Sequence, residues 1–344
     1  MKILITGGAG YIGSHTLVEA LRAGHEVLVL DNFETSGPDA LRAVRQMTNR
    51  EFGFVEADIR DRTRLLNICA AFRPEAVIHF AGLKAVGESN TIPARYYGVN
   101  VGGSVNLLEA MEACGCKRFV FSSSATVYGD PRYLPIDEAH PLSTTNPYGR
   151  SKLQVEDILR DQAQAHADWS IAILRYFNPV GAHDSGLIGE NPTGVPNNLM
   201  PYVAQVATGE RPELSVFGND YDTPDGTGVR DYIHVVDLAR AHIAAINWSG
   251  RQTGARSFNL GVGRGSSVLE MVAAFEEVSG RPVPYRIAPR RAGDIGTCFA
   301  DATRAEVELG WRAEKDISDM CRSAWDWAQK TASGKTDESS RMAG

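Results

Sequence analysis

The chain reads as an α/β protein: a doubly wound, Rossmann-type parallel sheet with a smaller, interleaved C-terminal lobe. Through the first half, short apolar β-type runs alternate with longer helical periodicities. Those runs lack polar alternation, as strands covered by helices on both faces do. The size agrees: 344 residues, 43% hydrophobic and 22% charged, suit roughly two domains with a core that needs neither disulfide nor metal.

Taken in order, the apolar runs at 3–5, 27–30, 52–55, 76–79, 119–121 and 171–174 are expected strands. Helical patterns fall between them near 12–24, 38–49, 61–72, 94–114 and 148–166. Residues 177–228 turn rich in Asn, Pro and Gly, with one helical stretch near 199–208 and a short apolar run at 214–217; long irregular segments of this kind usually serve binding. A strand and helix return at 231–246, then come a strand at 258–260, a helix at 268–278 and a strand-like 285–287. We therefore expect a first domain over 1–176, joined by a returning strand and helix near 230–262, a second lobe mainly over 177–330, and a disordered tail over 331–344, which lacks an apolar pattern.

Lys plus Arg number 35 against 42 Asp plus Glu, a net charge of −7. No basic face for nucleic acid follows, and an anionic ligand would need local cations. No apolar run approaches the ~18 residues of a membrane span, and the N-terminal run enters glycines too soon for a signal peptide, so a cytoplasmic protein is expected. The five cysteines, Cys69, Cys114, Cys116, Cys298 and Cys321, are odd in number and irregularly spaced. They form no disulfide framework, and Cys114-Gly-Cys116 is neither a zinc nor a redox spacing. The eight histidines do not cluster in sequence, and no metal is expected.

The first strand runs into Gly7-Gly-Ala-Gly10-Tyr-Ile-Gly13, which opens an apolar helix. Glycines also make ordinary turns, but between a first strand and a first helix they let a backbone approach a pyrophosphate on the helix N-terminus. Asp31 ends the second strand, where a carboxylate accepts from ribose hydroxyls and repels a 2′-phosphate; this favours NAD over NADP. Its other reading is a cap on the next loop. Asp58 and Ile59 after the third strand are candidates for the adenine edge. Phe80, Ala81, Gly82 and Lys84 follow the fourth, at the carboxyl end where open α/β sheets bind ligands.

Tyr148 and Lys152 stand four apart, on one helix face. A phenol near pKa ~10 is a poor base, but a neighbouring ammonium and a cationic nicotinamide would favour its phenolate, which could then take a hydroxyl proton as hydride leaves carbon. A chance surface pair is the other reading. Ser122, Ser124 and Thr126 follow the fifth strand, where a hydroxyl could bond the reacting oxygen.

Gly7-Gly-Ala-Gly-Tyr-Ile-Gly-Ser14, Ser122-Ser-Ser-Ala-Thr-Val-Tyr-Gly129 and Tyr148-Gly-Arg-Ser-Lys152 resemble the extended short-chain dehydrogenase/reductase family, and within it the nucleotide-sugar 4-epimerases. Arg175-Tyr-Phe-Asn-Pro179, Pro196-Asn-Asn-Leu-Met-Pro201, Phe217-Gly-Asn-Asp-Tyr-Asp222 and Asp225-Gly-Thr-Gly-Val-Arg-Asp-Tyr-Ile-His234 extend the likeness over about 1–330. The resemblance implies interconversion of UDP-glucose and UDP-galactose by transient oxidation at C4 with tightly bound NAD. Tyr148 is then the base, Lys152 holds the nicotinamide ribose and lowers the tyrosine pKa, and Ser124 assists at the hydroxyl. It adds Tyr11, Ile12, Asn32 and Asn100 to the cofactor contacts. Val99 stands where some members carry Asn, which leaves a cofactor contact from that position open.

On the substrate side the resemblance implies Lys84, Thr126, Phe177, Asn178, Asn197, Asn198, Leu199, Ser215, Val216 and Phe217. Arg230 and Arg291 would grip the diphosphate, Asp294 a ribose hydroxyl, and Cys298, small where other members carry a bulky aromatic, would admit N-acetylated UDP-hexoses. A homodimer through the helices near 94–114 and 148–166 is also implied. The rivals are sibling nucleotide-sugar enzymes and a non-catalytic NAD-sensing regulator. Dehydratases of this family carry an acidic pair where this chain has Ala125 and Thr126, and decarboxylation is disfavoured by the Asn-Asn-Leu and Arg-Asp-Tyr segments. Regulators on this fold typically lose the tyrosine that is kept here as Tyr148.

Overall fold

A computed structural model describes residues 1–342 apart from 193–195, 197 and 292, with side chains through residue 332. Seven strands build the main sheet: β1 (Lys2–Thr6), β2 (Glu26–Asp31), β3 (Gly53–Glu56), β4 (Ala76–His79), β5 (Arg118–Ser124), β6 (Ser170–Tyr176) and, later in the chain, β11 (Gly254–Leu260). Their order is β11-β6-β5-β4-β1-β2-β3, with every neighbouring pair parallel. Between β3 and β11 the strands expected from unalternated apolar runs are all present. The inner strands are buried on both faces, Ile3, Ile5 and Val29 packing on one side and Leu4, Leu28 and Leu30 on the other, whereas the edge strand β3 is half-buried to exposed.

The covering helices are α1 (Tyr11–Arg22), α2 (Pro38–Thr48), α3 (Arg62–Phe72), α4 (Val86–Thr91), α5 (Pro93–Tyr96), α6 (Gly103–Cys114) and α7 (Pro147–Ala165). The expected helix 94–114 is interrupted by a π-helical turn, Tyr97–Gly102, between α5 and α6; such turns re-aim side chains, and this one carries Asn100. The second lobe holds β7 (Asn178–Val180), α8 (Leu199–Ala207), β8 (Leu214–Phe217), β9 (Val229–Arg230) and β10 (Tyr232–His234). After α9 (Val235–Ser249) returns the chain to β11, the lobe resumes with β12 (Ser266–Ser267), α10 (Val268–Ser279), β13 (Tyr285–Ala288) and β14 (Thr297–Cys298). The last helix, α11 (Ile317–Met342), begins where no helix was expected and carries the backbone into the tail. Met320, Cys321, Ala324 and Trp325 form its apolar face against α8 and α10. Among the described residues no helix is long and apolar enough to cross a membrane.

β1 and β4 are neighbours, but the chain leaves them toward opposite sides of the strand order. The loops that follow, 7–10 and 80–85, therefore meet in a crevice at the carboxyl edge, the place where open α/β sheets bind ligands.

Candidate active site

The glycine loop is built for close approach. Gly7 has φ +71°, and a Cβ there would lie 2.5 Å from the Ala81 nitrogen; one on Gly13 would lie 2.3 Å from the Gly7 carbonyl oxygen. Among the described residues no side chain caps α1 at Gly10. Its first N–H groups are left facing the crevice, as an anion requires. Asp31 is buried and does cap the loops: Oδ2 accepts from the Ala9 N–H at 3.0 Å, and Oδ1 from the Phe33 N–H at 3.0 Å and the Ser36 hydroxyl at 2.9 Å. A carboxylate has about four acceptor positions, so capacity for about one further donor remains, and the two readings of Asp31 are compatible. Asn32 donates to Asp58 at 2.9 Å. Arg60 holds Asp58 at 2.6–2.9 Å and is the largest cause of its fall to about 2; burial acts the other way. Ile59 packs on Gly103, where a Cβ would lie 2.4 Å from its Cδ1. These residues fit a dinucleotide: glycine where side chains would intrude, an uncapped helix end, and carboxylates at the edge.

Opposite, the N–H groups of Phe80 and Ala81 both donate to the Thr6 carbonyl, at 2.9 and 3.1 Å. Asn100 accepts from the Leu83 N–H at 2.8 Å and donates to the Leu83 carbonyl at 3.0 Å and to Ser151 at 2.9 Å. Its amide thus clamps the 80–84 loop to α7. Lys84 pairs with Glu190 at 3.2 Å, and Asn198, which stands just ahead of α8 and Leu199 without capping the helix, donates to the same carboxylate oxygen at 2.6 Å. Tyr11 donates to the Gly181 carbonyl at 2.6 Å. Glu190 was not singled out in the sequence; a lone acid in an irregular segment gives no signal.

α7 opens at Pro147, with Asn146 accepting from the Gly149 N–H at 2.8 Å. Gly149 is needed because a Cβ would approach the Thr126 carbonyl oxygen to 3.0 Å; the first turn, with Tyr148, is thereby pressed onto the segment after β5. There the Ser124 hydroxyl accepts from the Thr126 N–H at 3.2 Å and its hydroxyl at 3.0 Å. The Ser124 hydroxyl also stands near enough to the Tyr148 phenol to act on its acidity. One turn on, the buried Lys152 donates to the Ser122 carbonyl at 2.7 Å. Burial lowers Lys152 to about 8, with Glu156 acting against the shift.

The protein's own groups move Tyr148 opposite to the expected direction. Burial raises the phenol, the Ser124 hydroxyl works to lower it, and Lys152 does not figure among the causes. A net lowering needs a cation bound beside it.

Glu156 extends the stripe by another turn. It is fully buried, accepting from Ser123 at 2.5 Å, from Arg175 at 3.0 and 2.6 Å, and from Arg160 at 2.6 Å. Arg175 also donates to Tyr128 at 2.9 Å, and Tyr128 to Asn259 at 2.6 Å. The network ties α7 to β5, β6 and β11. The i, i+4, i+8 spacing of Tyr148, Lys152 and Glu156 was its available signal.

In the second lobe, β9 and β14 bring Arg230 into register with Cys298. The Arg230 guanidinium donates to the carbonyls of Val229, Ile295 and Gly296 at 2.9–3.2 Å. Arg291 pairs with Asp294 at 2.8 Å and lies 4.7 Å from the Phe217 ring centroid, so one loop and the distant β8 contribute to a single cluster. On β8, Ser215 and the exposed Phe217 flank the buried Val216. The Asn178 N–H donates to the Asp231 carbonyl at 2.9 Å. Phe177 and Cys298 share a buried cluster with Val127 and Tyr128, against which Ala125 packs. Cys298 therefore lies beside the Ser124–Thr126 turn, and burial pushes its thiol up to about 11. Asn197 lies outside the described residues.

A family model for the NAD dependent epimerase/dehydratase family matches residues 3–261. The UDP-glucose 4-epimerase of Bacillus subtilis (strain 168) is 59% identical over 334 residues, which span 97% of this chain and 98% of that protein. The solved UDP-glucose-4-epimerase from Stenotrophomonas maltophila, with bound NAD and formylated UDP-arabinopyranose, superposes with a TM-score of 0.95 at 51% identity, over 97% of this chain and 99% of that one. That from Bifidobacterium longum, in complex with NAD+ and UDP, gives 0.94 at 52% identity, over 97% and 100%.

Proposed function

The chain belongs to the NAD dependent epimerase/dehydratase family, and from that membership we propose that it interconverts UDP-glucose and UDP-galactose at C4 of the sugar, with NAD kept as a prosthetic group. The observation that carries the proposal is the meeting of Tyr148, Ser124 and Lys152 at the carboxyl edge of the sheet, beside the glycine loop. Bound NAD supplies a reversible hydride acceptor for C4. Tyr148 Oη takes the proton of the 4-hydroxyl and later returns it, with Ser124 Oγ bridging the two oxygens. Lys152 Nζ contributes its charge from a fixed place, set by the Ser122 carbonyl. The helix-end N–H groups and Asp31 bind and orient the dinucleotide. Arg230 and Arg291 neutralise the diphosphate and the Phe217 ring stacks near the base; held there, the sugar can present either face to the same acceptor.

The small, buried Cys298 beside Phe177 and Ala125 favours a second substrate pair, the N-acetylated UDP-hexoses. We further infer a homodimer through α5–α6 and α7, in the cytoplasm. Five unpaired thiols suit a reducing compartment.

Proton NMR of the purified protein mixed with UDP-galactose, with no NAD added, tests the main reading. Appearance of UDP-glucose supports both epimerisation and retained cofactor. Turnover only after NAD is added would overturn the prosthetic role. Turnover of another nucleotide sugar alone would overturn the substrate.

A further inference from the structure

One oxygen of Glu190 joins the two halves of the molecule. Oε1 accepts from Lys84 Nζ at 3.2 Å, at the end of the loop after β4, and from the Asn198 amide nitrogen at 2.6 Å, just ahead of α8. The Glu190 side chain is only 11% exposed, so little water competes for it. Its main chain is fixed independently. The Gly181 carbonyl takes the Tyr11 hydroxyl at 2.6 Å, Ala182 pairs with Gly189 in an antiparallel bridge, and Trp327 Nε1 donates to the Glu190 carbonyl at 3.2 Å. Gly189 packs against the same indole, where a Cβ would lie 2.6 Å from Trp327 Cγ. The Glu190 carboxylate is thus not needed to hold its own backbone, and the reaction steps given above do not use it.

We propose that Glu190 is a positioning residue for the sugar of the UDP-hexose, turning Lys84 and Asn198 so that together they hold one of its hydroxyls; this rests on the function proposed above. Donor and acceptor chemistry fixes what each partner presents. A carboxylate only accepts, so Asn198 aims its NH2 at Glu190 and turns its amide oxygen away. Lys84 spends one of its three N–H donors on Glu190 and keeps two. An amide oxygen from one half and an ammonium from the other suit a hydroxyl, which both donates and accepts. Without Glu190 the amide turns freely and the long lysine side chain is unrestrained, so the cost of ordering both falls on the bound sugar. Arg230, Arg291 and Phe217, given the diphosphate and base, are held by other partners, so UDP alone does not sense the change.

The test compares Glu190→Ala and Glu190→Gln with the parent, each as the NAD-loaded full chain. Initial rates on UDP-galactose, isothermal titration with UDP and NAD content after acid release are read for all three. In Glu190→Ala the KM for UDP-galactose should rise about tenfold or more, with kcat, UDP affinity and NAD content nearly kept. Glu190→Gln still offers an oxygen to the Asn198 amide, and its KM should fall between the other two. Added to Lys84→Met/Asn198→Ala, Glu190→Ala should raise KM no further, because it acts through those residues. An unchanged KM, a loss confined to kcat, a loss of UDP affinity or NAD content matching the rise in KM, or full additivity on the double variant would each overturn the proposal. A parent inactive on UDP-galactose would instead bring down the functional reading, and this inference with it.

Discussion

Arg175→Met removes two of the hydrogen bonds to the Glu156 carboxylate, at 3.0 and 2.6 Å, and leaves that group with Ser123 and with Arg160, whose side chain is 36% exposed. Stripping one partner from a buried ion pair costs about 3–5 kcal/mol, because the remaining charge keeps its desolvation penalty. Glu156→Leu, which strands the arginine instead, should cost a similar amount. The double variant Glu156→Leu/Arg175→Met removes both charges and should be no less stable than either single change, a coupling of several kcal/mol. Equilibrium urea unfolding followed by circular dichroism, at one fixed NAD concentration, reads all four proteins.

Acidity gives a further handle on the same pair. Burial raises Glu156, but the Arg175 hydrogen bonds and charge, with Ser123 and Arg160, outweigh it, so its pKa lies below the ordinary value. The pair's contribution is thus present above the unfolded glutamate pKa and lost as pH falls through the lowered one. The cost of Arg175→Met should shrink over that acid window. Because α7 also carries Tyr148 and Lys152, both singles should lower kcat more than the double. A single-variant cost under about 1 kcal/mol, or a double equal to the sum of the singles, would refute the account.

Tyr148→Phe should lower kcat for UDP-galactose by about 10²–10⁴-fold, the usual worth of a positioned acid–base group, with unfolding nearly unchanged; a tenfold loss would point to another base. Gly13→Ala places a methyl 2.3 Å from the Gly7 oxygen, so the purified variant should carry little NAD by absorbance after acid release, and normal occupancy would argue against the cradle. Cys298→Tyr should abolish turnover of N-acetylated UDP-hexoses while sparing UDP-galactose; unchanged activity on both would sink the role given to this position. Burial lowers Lys152 to about 8 from 10.5, so between those values the unfolded chain binds more protons and stability gains about 3 kcal/mol from this group as pH rises. Lys152→Met should lack that rise in cofactor-free protein, and parallel pH profiles of the two would contradict it.

The doubly wound sheet, the glycine loop and the Tyr148–Lys152 pair are legible in the order of the amino acids alone. All three rest on local rules: apolar runs without alternation, glycine where the backbone turns, and a spacing of four on a helix. The α11 helix was legible in principle, from the apolar positions at 320, 321, 324 and 325, yet lacked the strand neighbours that made the other elements conspicuous. The remaining contacts emerge on folding, since those partners are far apart along the chain. Arg291 and Phe217 stack across 74 positions, Lys84 reaches Glu190 across 106, and Tyr128 reaches Asn259 across 131. Folding also sets burial against the expected lowering at Tyr148, because burial is a property of the folded surroundings that a spacing cannot express.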